Sequence, residues 1–195
     1  MSTGYGYVTT SGGFTLETWF KRTVLPTTEA AALFFQAAQS FTGGADDDDM
    51  GGRQLFFGFE PDTGNLSLDV YKENGTNVVS WIDEAVDPAY ADDGEWHHIA
   101  LVLSDDEETF TIWLDGQNYH EEEASDEVVW KAGRMSIAGE YAPHRGIDGR
   151  YFADYGMVYV AIFDVELDEE TILKHFNAAN GGEVFSGDTE VERLT

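Results

Sequence analysis

The sequence predicts an all-β protein, an antiparallel sandwich of two sheets with one short helix near the C-terminus. Most apolar segments alternate apolar and polar residues with a period of two, which is typical of half-buried strands. Glycine and Asn/Asp turns separate these segments, and a single segment after residue 167 has a convincing helical pattern. About ten strands with one helix favour two packed antiparallel sheets.

Eight segments are predicted as strands, and one run stays open between strand and helix. In chain order, the predicted strands are 14–20, 55–59, 66–71, 78–82, 96–103, 109–114, 134–138 and 157–163. Gly64-Asn65 and Asn74-Gly75 lie between the second, third and fourth of these, which predicts a meander, because Asn-Gly tolerates the positive φ angles of a tight hairpin turn. Asp115-Gly116 predicts another tight turn. The run 30–38 is rich in alanine, which suits a helix, but its short length fits a buried strand equally well.

The helix is predicted from its start and stop signals. Asp168 is a good N-cap, and Glu169 and Glu170 favour the positive end of the helix dipole. The apolar face consists of Ile172, Leu173 and Phe176, and Asn180 with the two following glycines ends the segment. We therefore predict one domain over residues 1–180 and a polar tail or linker over 181–195.

The surface is predicted to be strongly acidic. The chain of 195 residues has 38 Asp plus Glu against 10 Lys plus Arg, which gives a formal net charge of −28. Its 42% hydrophobic and 14% aromatic residues fit a packed core rather than a disordered acidic tail. A dispersed acidic surface is expected of a protein that works in concentrated salt, where the Debye length falls to about 3 Å at 1 M. A solubilising surface on a mesophile protein is the alternative.

Composition also excludes several classes of function. Nucleic-acid binding and binding to an anionic membrane depend on clustered Lys and Arg, which this chain lacks. No Cys is present, so disulfides, thiolate metal sites and Cys nucleophiles are excluded. The sequence has no signal peptide and no apolar run long enough for a transmembrane segment, so we expect neither independent export nor membrane insertion.

Several motifs, in this order, resemble a known family. Phe14-Thr-Leu-Glu-Thr-Trp-Phe20, Gly94-Glu-Trp-His-His-Ile-Ala100 and Ile112-Trp-Leu-Asp-Gly116 are similar to strands of laminin-G-like, concanavalin A-like lectin and glucanase jelly rolls. Leu167 and the helix after it resemble the family's ending, so the resemblance covers roughly residues 5–178. It implies a jelly-roll sandwich and a recognition role through loops at one sheet edge, sometimes with Ca²⁺. Val158 departs from the family, whose last strand often carries Asp there, which removes the basis for a role of that carboxylate.

Two motifs that suggest chemistry are interpreted as structural. His97 and His98 are adjacent on a predicted strand and point to opposite faces, so they cannot bind one metal ion together. We expect one to point inward and form hydrogen bonds and the other to point outward. The string Glu166-Leu-Asp-Glu-Glu170 matches the catalytic strand of glycoside hydrolases on this fold, in which retaining enzymes hold two carboxyl groups about 5–5.5 Å apart. Because the string here begins the predicted helix, we interpret its acids as cap and dipole partners and expect no enzyme activity.

Two loops are candidate binding sites. The loop 139–151 combines aromatic, basic and acidic side chains suited to a sugar or a partner surface, and its candidates are Tyr141, His144, Arg145, Asp148, Arg150 and Tyr151. The alternative is that Arg145 and Arg150 pair with neighbouring acids and only fix the loop. The glycine-rich loop 39–52 offers Ca²⁺ the oxygen ligands Asp46, Asp47, Asp48 and Asp49, and a solvated acidic run is the alternative. No other cofactor is expected.

These inferences give a hypothesis and two alternatives. The hypothesis is a non-enzymatic recognition module on the capsid or tail surface of a halophilic tailed virus, since tailed viruses commonly display such jelly rolls. Its expected partners are a host-surface glycan or glycoprotein, other virion proteins and further copies of itself. The alternatives are a structural capsid or tail decoration or oligomerisation protein with no sugar ligand, and a glycoside hydrolase.

Overall fold

Twelve strands and one helix make up the secondary structure of the described residues. The computed structural model describes residues 12–22, 31–38, 53–61, 63–72, 76–85, 90, 93–126, 128, 133–138, 140–142, 147–150 and 155–179. The first six strands are β1 (Phe14–Arg22), β2 (Ala31–Ala38), β3 (Arg53–Phe59), β4 (Leu66–Tyr71), β5 (Asn77–Ile82) and β6 (Trp96–Leu103). They are followed by β7 (Thr109–Leu114), β8 (Gln117–Glu123), β9 (Gly133–Ile137), β10 (Glu140–Ala142), β11 (Ile147–Arg150), β12 (Tyr155–Phe163) and the helix α1 (Glu169–Ala179).

The strands form two five-stranded antiparallel sheets and a separate hairpin. The strand order is β12-β1-β6-β7-β8 in the first sheet and β5-β4-β3-β2-β9 in the second, while β10 pairs with β11. This architecture confirms the predicted all-β sandwich with one C-terminal helix. Among the described helices, none is long and apolar enough to span a bilayer.

One apolar core fills the space between the two sheets. Along the central strands β4 and β6, alternate residues point inward, as the period of two predicts. The fully buried inward side chains include Leu66, Leu68 and Val70 of β4 and Ile99, Leu101 and Leu103 of β6. Phe20 of the first sheet packs against Phe59 of the second, with ring centroids 5.1 Å apart. The outward residues are therefore the ones that can carry function.

The helix α1 covers part of the outer face of the first sheet. Ile172 is fully buried there against Ala100, Val102 and Trp113. Asp168 caps the helix as predicted, because its carboxylate Oδ1 accepts a hydrogen bond of 2.9 Å from the Thr171 backbone N–H. Hydrogen bonds from Thr171 also hold the pKa of Asp168 below its ordinary value.

Strand β8 is the main difference from the sequence prediction. Its acidic run, Glu121 to Glu123, belongs to none of the strands predicted from the sequence, but it forms part of the edge strand next to β7. Charged side chains are common on edge strands because they discourage pairing with other chains. The ambiguous run 30–38 contains strand β2, and the predicted tight turn before β8 has φ angles of 50° at Asp115 and 73° at Gly116.

Candidate functional site

The structure describes only part of the sites predicted from the sequence. The predicted calcium ligands, Asp46 to Asp49, lie outside the described residues, as do His144, Arg145 and Tyr151. The predicted loop 139–151 contains a hairpin, because β10 pairs with β11 in the register Glu140 to Arg150 and Ala142 to Ile147. This hairpin carries the backbone of the remaining candidates, Tyr141, Asp148 and Arg150. A glycan or calcium role for these residues stays a prediction.

A polar patch lies on the outer face of the second sheet, on strands β4 and β5. We call it the Asp69 patch and define it as Ser67, Asp69, Asn77, Ser80 and Ile82. Pairing places Asp69 opposite Ser80 and Ser67 opposite Ile82, while Leu68 and Val70 between them point into the core. Ser80 and Ile82 are exposed, Asp69 and Asn77 are half-buried, and Ser67 is buried. The patch is therefore a polar surface on a rigid sheet.

Hydrogen bonding organises the Asp69 patch around one carboxylate oxygen. Oδ1 of Asp69 accepts hydrogen bonds from the Ser80 hydroxyl at 3.0 Å and from the Asn77 side-chain amide at 3.3 Å. Asn77 Oδ1 and Ser67 Oγ are buried and have no hydrogen-bond partner among the described residues. Buried polar atoms normally have a partner, so these two atoms have unused hydrogen-bonding capacity that a water molecule can satisfy. The carboxylate of Asp69 and the exposed hydroxyl of Ser80, beside the exposed aliphatic side chain of Ile82, suit a polyhydroxylated ligand.

Aromatic side chains pack together where the edge strand β5 of the second sheet contacts the edge strand β8 of the first sheet. Trp81 stacks on His120 with ring centroids 4.3 Å apart and an interplanar angle of 17°. Tyr119 donates a hydrogen bond of 2.5 Å to the Asp83 carboxylate, and Tyr90 donates to the same oxygen. Burial and the hydrogen bond to Asp83 raise the pKa of Tyr119 to about 12, and the same causes raise the pKa of Tyr90. The Asp83 oxygen is occupied by these donors, so this cluster braces the edge beside the Asp69 patch.

The two adjacent histidines contact carboxylates and hold structural elements together. They lie on opposite faces of β6, as predicted, but each contacts carboxylates. His98 is fully buried and donates a hydrogen bond of 2.6 Å from Nε2 to Glu17, whose second oxygen accepts 2.8 Å from His175 on α1. His97 Nδ1 lies 2.8 Å from Asp115. Hydrogen bonding to Asp115 is the main cause that raises the pKa of His97 above its ordinary value.

Two carboxylates of the string 166–170, which resembles the catalytic strand of glycoside hydrolases, accept hydrogen bonds from backbone N–H groups. Asp168 is the N-cap of α1, and Glu166 accepts a hydrogen bond of 2.8 Å from the Asp105 N–H. The string therefore lies at the start of a helix and not on a strand, where a period of two would align its acids.

A cavity of about 350 Å³ between the β6–β7 turn and the end of β8 is also lined by acids. Across the described ranges, no cluster of three or more His, Asp or Glu side chains is arranged to hold a metal ion.

The Asp69 patch has no direct signal in the sequence. Its members are ordinary polar residues spread over two predicted strands, and their meeting depends on the register between β4 and β5. The alternation of Ser67 and Asp69 with buried residues was a usable hint, since it marks them as outward. The hydrogen bonds and the orphaned acceptors became visible only in three dimensions.

Comparison with known proteins places the fold. A family profile described as the concanavalin A-like lectin/glucanases superfamily matches residues 2–173. No curated protein sequence matches the chain. One similar structure is the binding domain of botulinum neurotoxin DC in complex with rat synaptotagmin II, at 10% identity and a TM-score of 0.57, covering 86% of this chain and 36% of that chain.

Two further structures have the same fold. Botulinum neurotoxin type C, whose cell entry depends on interaction with two ganglioside molecules, matches at 11% identity and a TM-score of 0.57 over 86% of this chain and 36% of that chain. The Trypanosoma rangeli sialidase matches at 14% identity and a TM-score of 0.51 over 87% of this chain and 23% of that chain. The chain thus spans 23–36% of the length of these three structures, and the likeness concerns the fold. Because the family profile covers most of its length, this chain belongs to the concanavalin A-like lectin/glucanases superfamily.

Proposed function

We propose that the chain is a non-enzymatic recognition module that binds a glycan or the glycan of a glycoprotein. The observation that carries this proposal is the Asp69 patch, which combines a carboxylate, a side-chain amide, an exposed hydroxyl and an exposed aliphatic side chain on one sheet face. Sugars present several hydroxyl donors and apolar C–H faces together, so this combination suits them. A rigid sheet also lowers the entropy cost of ordering the site on binding.

Two observations favour binding over hydrolysis. The acids of the string 166–170 cap a helix or bind a backbone N–H, and the carboxylates of Glu17 and Asp83 are held by histidines and tyrosines. A retaining glycosidase needs two carboxyl groups about 5–5.5 Å apart facing one substrate, and these carboxylates are committed elsewhere. The sialidase shares the fold, and fold alone does not carry an activity.

The similar toxin structures support recognition as the general role. One is bound to synaptotagmin II, and another belongs to a toxin whose cell entry depends on gangliosides. Each of those chains is much longer than this one, so their receptors are properties of larger proteins. We carry over only the general idea that such a fold serves at a cell surface.

The setting that we propose is the surface of a virus particle that infects a salt-loving host. A net charge of −28 supports work in concentrated salt, where screening removes the self-repulsion of the acidic surface. Laminin-G-like jelly rolls without cysteine suit display on a capsid or tail, where other virion proteins are the neighbours. The ligand in this setting is a glycan or glycoprotein of the host envelope.

A glycan array probed in molar salt tests the binding function. We expect at least one glycan class to bind, and replacement of Asp69 or Asn77 with alanine to weaken that binding about tenfold or more, since one lost hydrogen bond to a charged group is worth about 1.5–3 kcal/mol. Glu169→Ala, which removes an exposed carboxylate at the start of α1, is the control and should bind normally. Absence of any bound glycan would contradict the proposal.

The sequence-predicted loop is tested in the same experiment. If Tyr141→Ala and Arg145→Ala abolish binding while the Asp69 and Asn77 variants bind normally, the ligand occupies the loop 139–151. That result would preserve the recognition function and refute the Asp69 patch as its site. Loss of binding in both groups would indicate that one ligand spans both surfaces.

A structural decoration protein is the second candidate function. The exposed apolar residues of β12 favour it, because such a surface suits a permanent neighbour in a particle. A pull-down of capsid and tail proteins in molar salt tests this alternative. Capture of a virion protein with no glycan binding would support decoration over recognition.

A further inference from the structure

A bulge in β8 directs Tyr119 from the first sheet towards the edge of the second sheet. The register between β7 and β8 shifts between Ile112 and Trp113, which leaves Tyr119 as one extra residue of β8. Bulges change the direction of a side chain relative to the regular alternation of a strand. The Tyr119 hydroxyl donates a hydrogen bond of 2.5 Å to Asp83, which directly follows β5. The bulge therefore places a tyrosine ring beside the edge strand that carries half of the Asp69 patch.

The ring of Tyr119 is held in one orientation and is still open to solvent. Its hydroxyl is bound to Asp83, and its ring meets Tyr90 edge to face, with centroids 6.1 Å apart and an interplanar angle of 85°. Tyr90 is buried and packs against Phe59 in the core, so it is a rigid support. Tyr119 itself is 37% exposed. A ring that is already fixed loses little conformational entropy when a ligand stacks on it.

Ile82 connects the Asp69 patch to Tyr119. It is the last residue of β5, it is half exposed, and it directly precedes the Asp83 to which the Tyr119 hydroxyl is bound. Ser80, which donates to Asp69, precedes Asp83 by three residues, and a strand rises about 3.3 Å per residue, so the two points lie roughly 10 Å apart along β5. This separation exceeds the length of one sugar ring. A glycan that contacts both must therefore contain at least two sugars.

The charges around this surface favour an uncharged ligand. Strands β4, β5 and β8 contain no Lys or Arg, and Lys72, directly after β4, pairs with Asp126 at 2.5 Å. The patch is centred on the Asp69 carboxylate, and β8 ends in the glutamates 121–123. An acidic sugar would meet like charges at contact distance, where a Debye length of about 3 Å at 1 M salt screens only part of the repulsion. An uncharged sugar meets no such repulsion.

We propose that Tyr119 is a second binding subsite beside the Asp69 patch, and that the two together bind an uncharged oligosaccharide of at least two sugars. One sugar forms hydrogen bonds with Asp69 and Ser80. The next sugar passes over Ile82 and stacks its apolar C–H face on the Tyr119 ring. The inference rests on the proposed glycan-binding function and names the class of its ligand. Selectivity then combines attraction to hydroxyl groups and a C–H face with repulsion of acidic sugars.

A glycan array in molar salt tests the charge of the ligand on the wild-type chain. It presents matched pairs, each a neutral oligosaccharide and its sialylated, uronic acid or sulfated form. We expect the acidic member of each bound pair to bind at least about tenfold more weakly, because like charges meet at the surface. Asp69→Asn removes one of these charges and should narrow the difference, whereas Glu169→Gln removes an equal charge at the start of α1 and should leave it unchanged. An acidic member that binds as tightly as its neutral partner would overturn the uncharged class.

Isothermal titration calorimetry in molar salt tests the second subsite. Its ligands are the neutral disaccharide that binds most tightly on the array and the methyl glycosides of its two sugars. We expect the disaccharide to bind at least about tenfold more tightly than either methyl glycoside, since it alone reaches both Asp69 and Tyr119. Tyr119→Ala should remove most of this advantage. Tyr159→Ala, which removes an exposed tyrosine at the opposite edge of the first sheet, is the matched control and should keep it.

The outcomes separate this inference from the proposed function. Tyr119→Leu keeps the apolar volume without the flat ring, and it takes the place of Tyr119→Ala if that variant fails to fold. A disaccharide that binds no better than its methyl glycosides, or an advantage that survives the loss of the ring, would overturn the second subsite and leave glycan binding intact. Absence of any bound glycan would overturn the proposed function and this inference together.

Discussion

Glu17 connects the helix α1 to the first sheet, and its removal is the most informative test of how this fold is held together. The residue is 5% exposed, and its two carboxylate oxygens accept hydrogen bonds of 2.6 Å from His98 and 2.8 Å from His175. Glu17→Ala removes both bonds. It also leaves the Nε2 donor of the fully buried His98 without its acceptor.

The size of the effect follows from the burial of each bond. The bond to buried His98 involves a charged group, which makes it worth about 1.5–3 kcal/mol, whereas the half-exposed His175 contributes less than about 1 kcal/mol. Glu17→Ala should therefore lower the free energy of unfolding by about 3 kcal/mol, and a domain of this size loses about 2–4 °C in Tm per kcal/mol. Glu17→Gln keeps an oxygen acceptor and should cost less. Glu169→Ala, an exposed glutamate at the start of α1, is the control and should change stability by less than about 0.5 kcal/mol.

The direction of the pKa shift of Glu17 predicts how its contribution to the free energy of unfolding changes with pH. Burial raises the pKa of Glu17, but the hydrogen bonds and charges of His98 and His175 outweigh it, so the folded-state pKa lies below its ordinary value of 4.5. A lowered folded-state pKa means that the stabilisation is present above the unfolded-state pKa. It is lost as the pH falls through the folded-state pKa.

Urea unfolding followed by tryptophan fluorescence, in molar salt from pH 7 down to pH 3, measures these effects. We expect the stability difference between wild type and Glu17→Gln to shrink below about pH 4.5, the ordinary glutamate value. A Glu17→Ala variant as stable as wild type at pH 7 would refute the structural role of the carboxylate. A stability difference that grows towards acid pH would refute the direction of its pKa.

Two further predictions concern the histidine and tyrosine contacts. Because hydrogen bonding to Asp115 raises the pKa of His97, its stabilisation is present below its ordinary value near 6.5 and is lost as the pH rises through the higher folded-state pKa. Wild type should therefore lose stability relative to His97→Gln in urea titrations as the pH rises above about 6.5, and parallel curves would contradict this. Tyr90→Phe removes a buried hydroxyl donor to Asp83 and should lower the unfolding free energy by about 1–3 kcal/mol in thermal melts, and an unchanged melt would show that the bond contributes nothing.

Local patterns in the sequence were sufficient to predict the architecture. Period-two alternation identified most strands of both sheets, and the capping signal at Asp168 located the helix start to within one residue. The His97-His98 pair was correctly placed on opposite faces, because the faces of a strand depend only on the backbone. What alternation could not reveal was β8, since its outward glutamates on an edge strand look like a solvated loop.

The functional surfaces were harder to predict, for a physical reason. The Asp69 patch depends on the register between β4 and β5. This register is a consequence of long-range pairing, which a single sequence encodes only weakly. The predicted loop 139–151 rests on composition alone, which identifies residues of suitable chemistry but says nothing of their geometry.

The central claim is that the face of β4 and β5 around Asp69 binds a glycan. Amide chemical-shift mapping by NMR, in molar salt and with the strongest glycan from the array, tests this claim most directly. We expect shifts concentrated in Leu66–Tyr71 and Asn77–Ile82 that disappear in Asp69→Ala. Shifts confined to the β10–β11 hairpin or to β12, or no shifts at millimolar glycan, would contradict it.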